Sequence, residues 1–388
     1  MTARICPPGR RPLDGVRVID AAGYVTGPFA AMMLADLGAD VVKVEPPTGD
    51  PNRRFGYRPE GAGATTLFAN TNRGKRSAAL DLKVEPDLAV FRSLVCDADV
   101  LVENWRPGVA ERLGIGRDTL AELNPRLVHL AITGYGPDGP DAGRGAFDAS
   151  VQAAAGVAWA NARQGRPELL RFYLVDKVTA AFAVQGVLAS LLRRTTTGRG
   201  ELVEVSMLDS AAYFDFPELF ARRTVLSDAG AVDPEDNPGV HTLVPTSDGF
   251  IVVAPSQWSH VVAAAEACGH PEWPAEVAGL RGFGALAPAL MQRIGRCTAT
   301  GTTAEWVDRF TAADVPVAAV RDLDGHLDDP QVRNNGTYVE LESDLLGRHR
   351  APCHPVRVGG ERLVAIAPAP ALDEHGVSVR VAMEENVR

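Results

Sequence analysis

The fold is decided by residues 16–45, which read VRVIDAAGYVTGPFAAMMLADLGADVVKVE. The β-branched run Val16–Ile19 predicts a strand, and the pair Gly27-Pro28 then opens a helix, because proline favours the first helical turn. Gly38 ends this helix, and Val41–Val44 predicts the next strand. Two strands joined by one helix imply parallel pairing through a right-handed crossover.

The same alternation of strand and helix continues to about residue 132. Further strands are predicted at 77–82, 100–102 and 128–132, with a helix at about 86–96 and more helix up to Leu123. We therefore predict an α/β protein with a Rossmann-like, doubly wound, mainly parallel sheet. The turn after the first strand, AAGYVTG, lacks the G-x-G-x-x-G pattern, and no Walker A motif is present, which disfavours a dinucleotide-dependent dehydrogenase.

The later part of the chain has a different character. Residues 221–240 are polar and acidic with two prolines, which is typical of a linker. Two short apolar runs around Ser247-Asp248-Gly249 predict a hairpin, and helical patterns follow up to about residue 313. We predict a large domain at 1–220, a linker at 221–240, a small α+β domain at 241–320, and a returning segment at 321–388 that completes the large domain.

Composition excludes several classes of protein. The 388 residues are 46% hydrophobic and 23% charged, which is ordinary for a globular domain. The formal net charge of −10 disfavours a nucleic acid partner. No run of about eighteen apolar residues predicts a membrane span, and the N-terminus lacks a secretory pattern. The five scattered cysteines lack zinc-site spacing, so we expect a cytoplasmic protein with no metal.

A local cationic stretch runs against the overall negative charge. Between Arg53 and Arg76 there are six basic residues and one acidic residue, Glu60. Such a patch can attract an anionic small molecule despite the net charge of the chain. A solvated loop face is the alternative interpretation, and it is the default for this stretch taken alone.

Asp176 precedes a strong helical pattern in the sequence. Apolar residues from Val178 to Leu192 form one broad face, and Gly198 ends the element. We predict Asp176 at the N-cap, where backbone N–H groups and the helix dipole would favour its ionised form. On spacing alone, a structural cap is the favoured interpretation, because aspartate is a common N-cap residue.

Motifs in the first 210 residues change this interpretation, because together they resemble a known family. The resemblance is to the class III (CaiB/BaiF-type) coenzyme A transferases, which include formyl-CoA transferase and have α-methylacyl-CoA racemases as relatives. In chain order the matching motifs are Pro12–Asp20, Gly27-Pro28, Leu37–Pro46, Asn72–Ser77, Leu80–Lys83, Val102–Gly108, Leu123–Val128, Thr133–Gly136, Phe147-Asp148 with Gln152-Ala153, and Thr197–Gly200.

The resemblance implies that Asp176 is a nucleophile. In this family the matching aspartate attacks an acyl-CoA to give a mixed anhydride and then an aspartyl-CoA thioester, from which CoA passes to an acceptor carboxylate. Covalent catalysis of this kind keeps the energy of the thioester during the exchange. The implied function is acyl-CoA:carboxylate CoA-transferase, with coenzyme A entering as the acyl-CoA substrate.

The resemblance also implies where the CoA substrate binds. The implied contacts are Val25, Thr26, Asn104, Trp105 and Arg112, with Arg73, Lys75 and Arg76 as further phosphate partners, since Arg and Lys bind phosphates well. The backbone N–H groups of Gly134, Tyr135 and Gly136 are candidates for stabilising oxyanions. For Trp105 a core or rim position is an equally good interpretation.

Two other functions remain open, and Phe147 bears on the first. Racemase relatives carry a His-Asp pair where this chain has Phe147-Asp148, so the imidazole for proton exchange is missing and a 2-methylacyl-CoA racemase is the runner-up. A non-catalytic acyl-CoA binding protein is the third hypothesis, disfavoured because binding alone needs no aspartate at position 176. Finally, the resemblance implies an interlocked homodimer.

Overall fold

The structure is a computed structural model that describes residues 5–226, 243–277 and 283–386. By its internal contacts the chain divides into two compact units, one made of residues 1–221 with 333–388 and the other of residues 222–332. Residues 321–332 group with the second unit, whereas the sequence places them in the returning segment. Most of the predicted linker, from residue 227 to 240, lies outside the described residues, as do the first two residues of the predicted small domain.

A six-stranded, fully parallel sheet forms the centre of the first unit. Its strand order is β3-β2-β1-β4-β5-β6, so the order reverses between β1 and β4. The strands are β1 (Arg17–Asp20), β2 (Asp40–Glu45), β3 (Lys75–Ala79), β4 (Val100–Glu103), β5 (Val128–Thr133) and β6 (Leu202–Ser206). This mixed α/β architecture with parallel strands confirms the predicted class, and ligands bind at such reversal points outside the carboxyl ends of the strands.

Helices fill the connections of this unit. They are α1 (Thr26–Asp36), α2 (Thr66–Asn72), α3 (Glu85–Asp97), α4 (Val109–Arg112), α5 (Arg117–Leu123), α6 (Asp148–Ala154), α7 (Val157–Ala160), α8 (Leu174–Thr197) and α9 (Met207–Leu219). Single turns of 3₁₀ helix lie at Pro51–Arg53 and Ala221–Thr224. Gly38 and Gly198 follow α1 and α8 with φ of 114° and 70°, a backbone region that favours glycine, which confirms both predicted helix ends.

Both faces of the sheet are covered by helices. On β1, Val18 packs into a cluster with residues of α1 and α8, whereas its neighbour Ile19 packs into a second cluster with α3 and α5. Successive strand residues point to opposite faces, so two buried faces require continuous apolar strands. This is why residues 100–102 and 128–132 are apolar for most of their length.

Helix α8, with 24 residues, is the longest helix in the described part of the chain. Among the described residues it is also the one helix long and apolar enough, by length and composition alone, to cross a membrane. Ala180, Ala183 and Val187 on its inner face are fully buried in the cluster shared with α1. A buried core helix passes the same test of length and composition.

The remaining elements belong to the second unit and to the return of the chain. In the second unit the antiparallel strands β7 (Leu243–Pro245), β8 (Phe250–Val253) and β9 (Val317–Ala319) form one sheet beside α10 (Trp258–Ala267), α11 (Trp273–Val277), α12 (Phe283–Thr298), α13 (Thr303–Ala312) and α14 (Leu323–Asp328). Then follow α15 (Pro330–Asn335), the hairpins β10 (Tyr338–Ser343) with β11 (Gly347–Pro352) and β12 (Arg357–Val358) with β13 (Glu361–Arg362), and α16 (Gly376–Asn386).

Candidate active site

Asp176 lies in the first turn of α8 and does not cap it. The helix begins at Leu174, and the preceding residue, Tyr173, makes no side-chain cap. The predicted N-cap position is therefore wrong, because the helix starts earlier than the apolar pattern indicates. The Asp176 carboxylate is turned toward α1, where its Oδ1 accepts a hydrogen bond from the hydroxyl of Thr26.

The protonation of Asp176 also differs from the prediction. Burial raises the pKa of this carboxyl group to about 6, and the negative charge of Asp148 acts in the same direction. The hydrogen bond from Thr26 and the positive charge of Lys177 act in the opposite direction and lower the pKa. The expected stabilisation of the ionised form by cap hydrogen bonds is absent because the side chain accepts none of them. Asp176 is thus a buried carboxylate that ionises near neutral pH, which suits a nucleophile.

Asp148 holds the start of α8 in place. This residue is 3% exposed, and its Oδ2 accepts the backbone N–H of Asp176 at 3.0 Å. Its Oδ1 accepts the side-chain amide of Gln152 at 2.5 Å, and Gln152 in turn accepts the N–H of Leu170 at 2.9 Å. Sequence reasoning notices Asp148 only as half of the Phe147-Asp148 pair and assigns it no role. The Phe147-Asp148 pair is the sequence signal from which the role of Asp148 could have been predicted.

The turn between β1 and α1 brings Thr26 to Asp176. Within it Tyr24 has a φ of 63°, an uncommon conformation for a residue other than glycine. The side chain of Asn52 donates to the Tyr24 carbonyl at 2.7 Å, and Asn104 bonds both the N–H and the carbonyl of Gly23 at 2.9 and 2.8 Å. Asn104, predicted to contact CoA, therefore uses both ends of its amide to hold this turn.

Val25 and Thr26 lie side by side at the start of α1 and are 8% and 4% exposed. The next residue, Gly27, lies so close to the segment after β1 that a Cβ atom there would stand 2.3 Å from the Cβ of Ala22. Only glycine fits this contact, which sets how closely the start of α1 approaches the end of β1.

Two aromatic side chains lie beside the site. The rings of Tyr24 and Phe147 meet edge to face with centroids 5.3 Å apart, and these side chains are 44% and 61% exposed. Phe147 directly precedes Asp148 at the start of α6. The position that would hold the racemase imidazole is thus occupied by an apolar ring that packs on the β1–α1 turn.

The Gly134-Tyr135-Gly136 turn follows β5 and packs close to the start of α6. A Cβ on Gly134 would stand 2.1 Å from the Cβ of Ala146, and Tyr135 packs with Ala146 in a small cluster that includes Val175. The N–H of Gly136 already donates to the Thr133 hydroxyl at 3.1 Å. Of the predicted oxyanion donors, Gly136 is therefore occupied within the protein.

The predicted phosphate contacts separate into buried and exposed side chains. Arg73 is 2% exposed and pairs with Asp36 at 2.5 Å, and Lys75 is 3% exposed and bonds Asp20 at 2.7 Å. These two predictions need correction, because both cations are enclosed in the protein and neutralised by carboxylates that are distant in sequence. Arg76 is partly exposed on β3 and pairs with Asp40 at 2.7 Å.

Trp105 and Arg112 follow β4, as Asn104 does. The Trp105 ring is half-buried against Phe91 with a centroid distance of 6.4 Å, which favours the predicted core or rim position. Arg112 is exposed at the end of α4 and makes no ion pair within the part of the chain that the structure describes. No group of three or more His, Cys, Asp or Glu side chains in that part could hold a metal ion.

The segments that follow β1, β4 and β5 therefore meet beside Asp176 and Asp148 at the point where the strand order reverses. This arrangement defines an α/β protein whose candidate active site contains a buried side-chain carboxylate. The chain belongs to CoA-transferase family III, whose family model matches residues 13–376. Enzymes of this family use CoA thioesters as substrates.

Several known proteins are similar to this chain. It is 31% identical over 385 residues to the "Probable fatty acyl-CoA transferase" of Mycobacterium tuberculosis, covering 94% of this chain and 96% of the relative. It is also 31% identical over 376 residues to the acetyl-CoA:oxalate CoA-transferase of Acetobacter aceti, with 95% of each chain covered. The crystal structure of a CaiB/BaiF family protein from Brucella suis matches with a TM-score of 0.83 at 25% identity, covering 96% of this chain and 99% of that one.

Proposed function

We propose that this enzyme transfers coenzyme A from an acyl-CoA to a free carboxylic acid and that Asp176 is the nucleophile. The observation that carries the proposal is the state of this side chain. It is 9% exposed, it makes no ion pair within the described residues, and its pKa is raised to about 6 by burial. A carboxylate that keeps its charge near neutral pH without a neutralising cation is poorly stabilised and hence reactive.

The chemistry follows from the carboxylate in three steps. Asp176 attacks the thioester carbonyl carbon, which forms a C–O bond and releases CoA as a thiolate. The thiolate then attacks the aspartyl carbonyl of the mixed anhydride, which releases the donor acid and leaves an aspartyl-CoA thioester. An acceptor carboxylate reverses both steps and leaves as the new acyl-CoA, with Asp176 restored.

We propose that fewer side chains bind CoA than the sequence predicts. We assign the phosphates to Arg112, because this cation is exposed and follows β4, and the region beside the turn to Val25 and Trp105. Arg76 is left out, because it lies near the amino end of β3 and pairs with Asp40 at the amino end of β2, at the other edge of the sheet. Asn104 supports the turn between them through its two hydrogen bonds to Gly23. Arg73 and Lys75 are left out because their charges are already satisfied by buried carboxylates.

We also propose the finer features of the assembly: a Rossmann-like, doubly wound large domain and an interlocked homodimer. The strand order 3-2-1-4-5-6 supports the first. For the second, the first compact unit is built from both ends of the chain, and apolar side chains on α8 and α9 are exposed, Leu192 by 72% and Tyr213 by 75%. Light scattering of the purified protein tests it, since a monomer would contradict it. The cytoplasmic location stays a prediction.

The test of the function is an exchange assay with a panel of acyl-CoA donors and free mono- and dicarboxylic acids. New acyl-CoA species are followed by mass spectrometry. We expect exchange in the wild type and a loss on the order of a thousandfold or more in Asp176→Asn, because the nucleophile is removed. Asp118→Asn is a matched control, an exposed aspartate in the first turn of α5, and it should exchange at the wild-type rate.

Three results would point elsewhere. Unchanged exchange in Asp176→Asn would contradict the proposed nucleophile. Exchange of the α-proton of a 2-methylacyl-CoA for deuterium, without transfer to any acid, would favour the racemase function. Binding of acyl-CoA without either reaction would favour the binding protein.

A further inference from the structure

The two oxygens of Asp176 have different surroundings. Oδ1 accepts the Thr26 hydroxyl, whereas Oδ2 has no hydrogen bond within the described residues. The hydroxyl itself is enclosed, because Thr26 is 4% exposed. One carboxylate oxygen is therefore held by the protein and the other is left for a substrate.

The position of the Thr26 hydroxyl is fixed from several sides. The turn before it is held by the amide of Asn52 on Tyr24 and by the amide of Asn104 on Gly23. The residue after it, Gly27, lies against Ala22 with no room for a side chain. On the opposite side Asp148 fixes the backbone N–H of Asp176 at 3.0 Å. Both partners of the contact are thus held in place before any substrate binds.

We propose that Thr26 is a catalytic residue with two roles. Its hydroxyl binds Oδ1 of Asp176, so that Oδ2 is the oxygen that attacks the thioester. The same hydroxyl afterwards donates to Oδ1 when that atom becomes an oxyanion. When Oδ2 attacks the thioester, Oδ1 becomes the carbonyl oxygen of the aspartyl half of the anhydride. When the CoA thiolate then attacks Cγ, a C–S bond forms and negative charge develops on Oδ1, directly at the hydroxyl. Collapse of this adduct breaks the Cγ–Oδ2 bond and releases the donor acid as its carboxylate.

This assignment rests on the proposed function and adds a role to it. The resemblance places Thr26 among the CoA contacts, and the motif says nothing about a hydroxyl on the nucleophile. A donor already oriented at the atom where charge develops needs no reorganisation during the reaction, which is the basis of oxyanion stabilisation. The Thr26 hydroxyl also supplies a donor on the aspartyl side that the N–H of Gly136 does not, since that N–H already donates to Thr133.

The experiment compares Thr26→Val, Thr26→Ser and Thr179→Val in rapid-quench formation of the aspartyl-CoA adduct. Valine keeps the shape of threonine without the hydroxyl, and serine keeps the hydroxyl. Thr179 is a matched control, because it is a fully buried threonine on the helix of the nucleophile whose hydroxyl donates to the Val175 carbonyl. Circular dichroism and thermal melting check that each variant is folded.

We expect Thr26→Val to slow adduct formation by roughly 10²- to 10³-fold, the effect of removing one oxyanion donor. Thr26→Ser should recover most of the rate, and Thr179→Val should stay within a few-fold of the wild type. Because the hydrogen bond lowers the pKa of Asp176, its loss should also move the acid limb of the rate profile to higher pH.

Two results overturn the assignment of Thr26. One is adduct formation at the same rate in Thr26→Val and wild type. The other is an equal loss in the serine and valine variants with no shift of the acid limb, which would make the effect structural. If the wild type exchanges CoA without forming any adduct on Asp176, the proposed mechanism fails, and the role of Thr26 fails with it.

Discussion

Two buried polar regions of the first unit each contain an aspartate, but the surroundings of the two carboxylates differ. Under the β1–α1 turn, Lys43 and Lys75 enclose Asp20, with Nζ atoms 3.6 and 2.7 Å from its Oδ2. At the start of α8, Asp176 is buried with a hydroxyl and a second carboxylate near it, and no cation forms an ion pair with it in the described part of the chain.

The pKa values of the two aspartates show what the cations change. Burial alone would raise the pKa of Asp20, but Lys43 and Lys75 outweigh it, and the pKa lies below its ordinary value. Burial raises the pKa of Asp176 to about 6, with only a hydroxyl and a weak contribution from Lys177 opposing it. The two lysines thus keep Asp20 ionised despite its burial, whereas Asp176 has no such cation and keeps a raised pKa.

The largest expected effect on stability comes from breaking a buried pair, Arg73 with Asp36. Arg73→Met should lower the free energy of unfolding by about 3–5 kcal/mol, because it leaves Asp36 buried without its cation. Urea unfolding near neutral pH measures this loss. The KM for acyl-CoA should change little, since Arg73 is enclosed in the protein.

The surface pair of Arg76 and Asp40, with side chains 40% and 53% exposed, is the matched control for that variant. Arg76→Met should cost no more than about 1 kcal/mol, as surface ion pairs do. Its KM for acyl-CoA should also change little, because Arg76 lies near the amino end of β3, away from the carboxyl ends of the strands. The distinction between the two cations would be contradicted by an Arg73 variant of normal stability with a raised KM.

A smaller effect on stability, of opposite sign, is expected at Asp176. The pKa of Asp176 is about 6 in the folded protein, whereas the ordinary pKa of an aspartate carboxyl is 3.8, so the folded state binds the proton more tightly. Stability is therefore lost as pH rises between these values. At about 1.36 kcal/mol per pH unit, the cost is at most about 3 kcal/mol above pH 6.

Removing the charge should recover part of this loss. Asp176→Asn should be about 1–3 kcal/mol more stable than the wild type at about pH 8, with the difference disappearing below about pH 4. Thermal and urea unfolding across this range measure it. A variant that is less stable than the wild type at all pH values would show that Asp176 is held by structural interactions.

Much of the fold can be predicted from the sequence because its signals are local. Glycine ends α1 and α8, proline opens α1, and continuous apolar strands indicate a sheet buried on both faces. The apolar pattern places the start of α8 too late, because Leu174 and Val175 precede its clearest part. Helix boundaries depend on backbone contacts that a pattern of side chains does not contain.

The site is less predictable, because its contacts join distant residues. Thr26 and Asp176 are 150 residues apart in sequence, and no spacing rule connects them. The cationic stretch at 53–76 gives a wrong prediction of phosphate contacts for the same reason. Counting charges along the chain shows Arg73 and Lys75 as an anion-binding patch, whereas their carboxylate partners come from β1 and α1, earlier elements of the fold.

The most direct test of the account is the mass of one peptide. Trypsin cleaves after Arg171 and Lys177, so Asp176 lies in the hexapeptide FYLVDK. In enzyme quenched with acid during turnover of an acyl-CoA, we predict that this peptide gains the mass of CoA less one water. Turnover with an unmodified peptide, or with CoA attached to a different peptide, would contradict the claim that the unpaired buried carboxylate is the nucleophile.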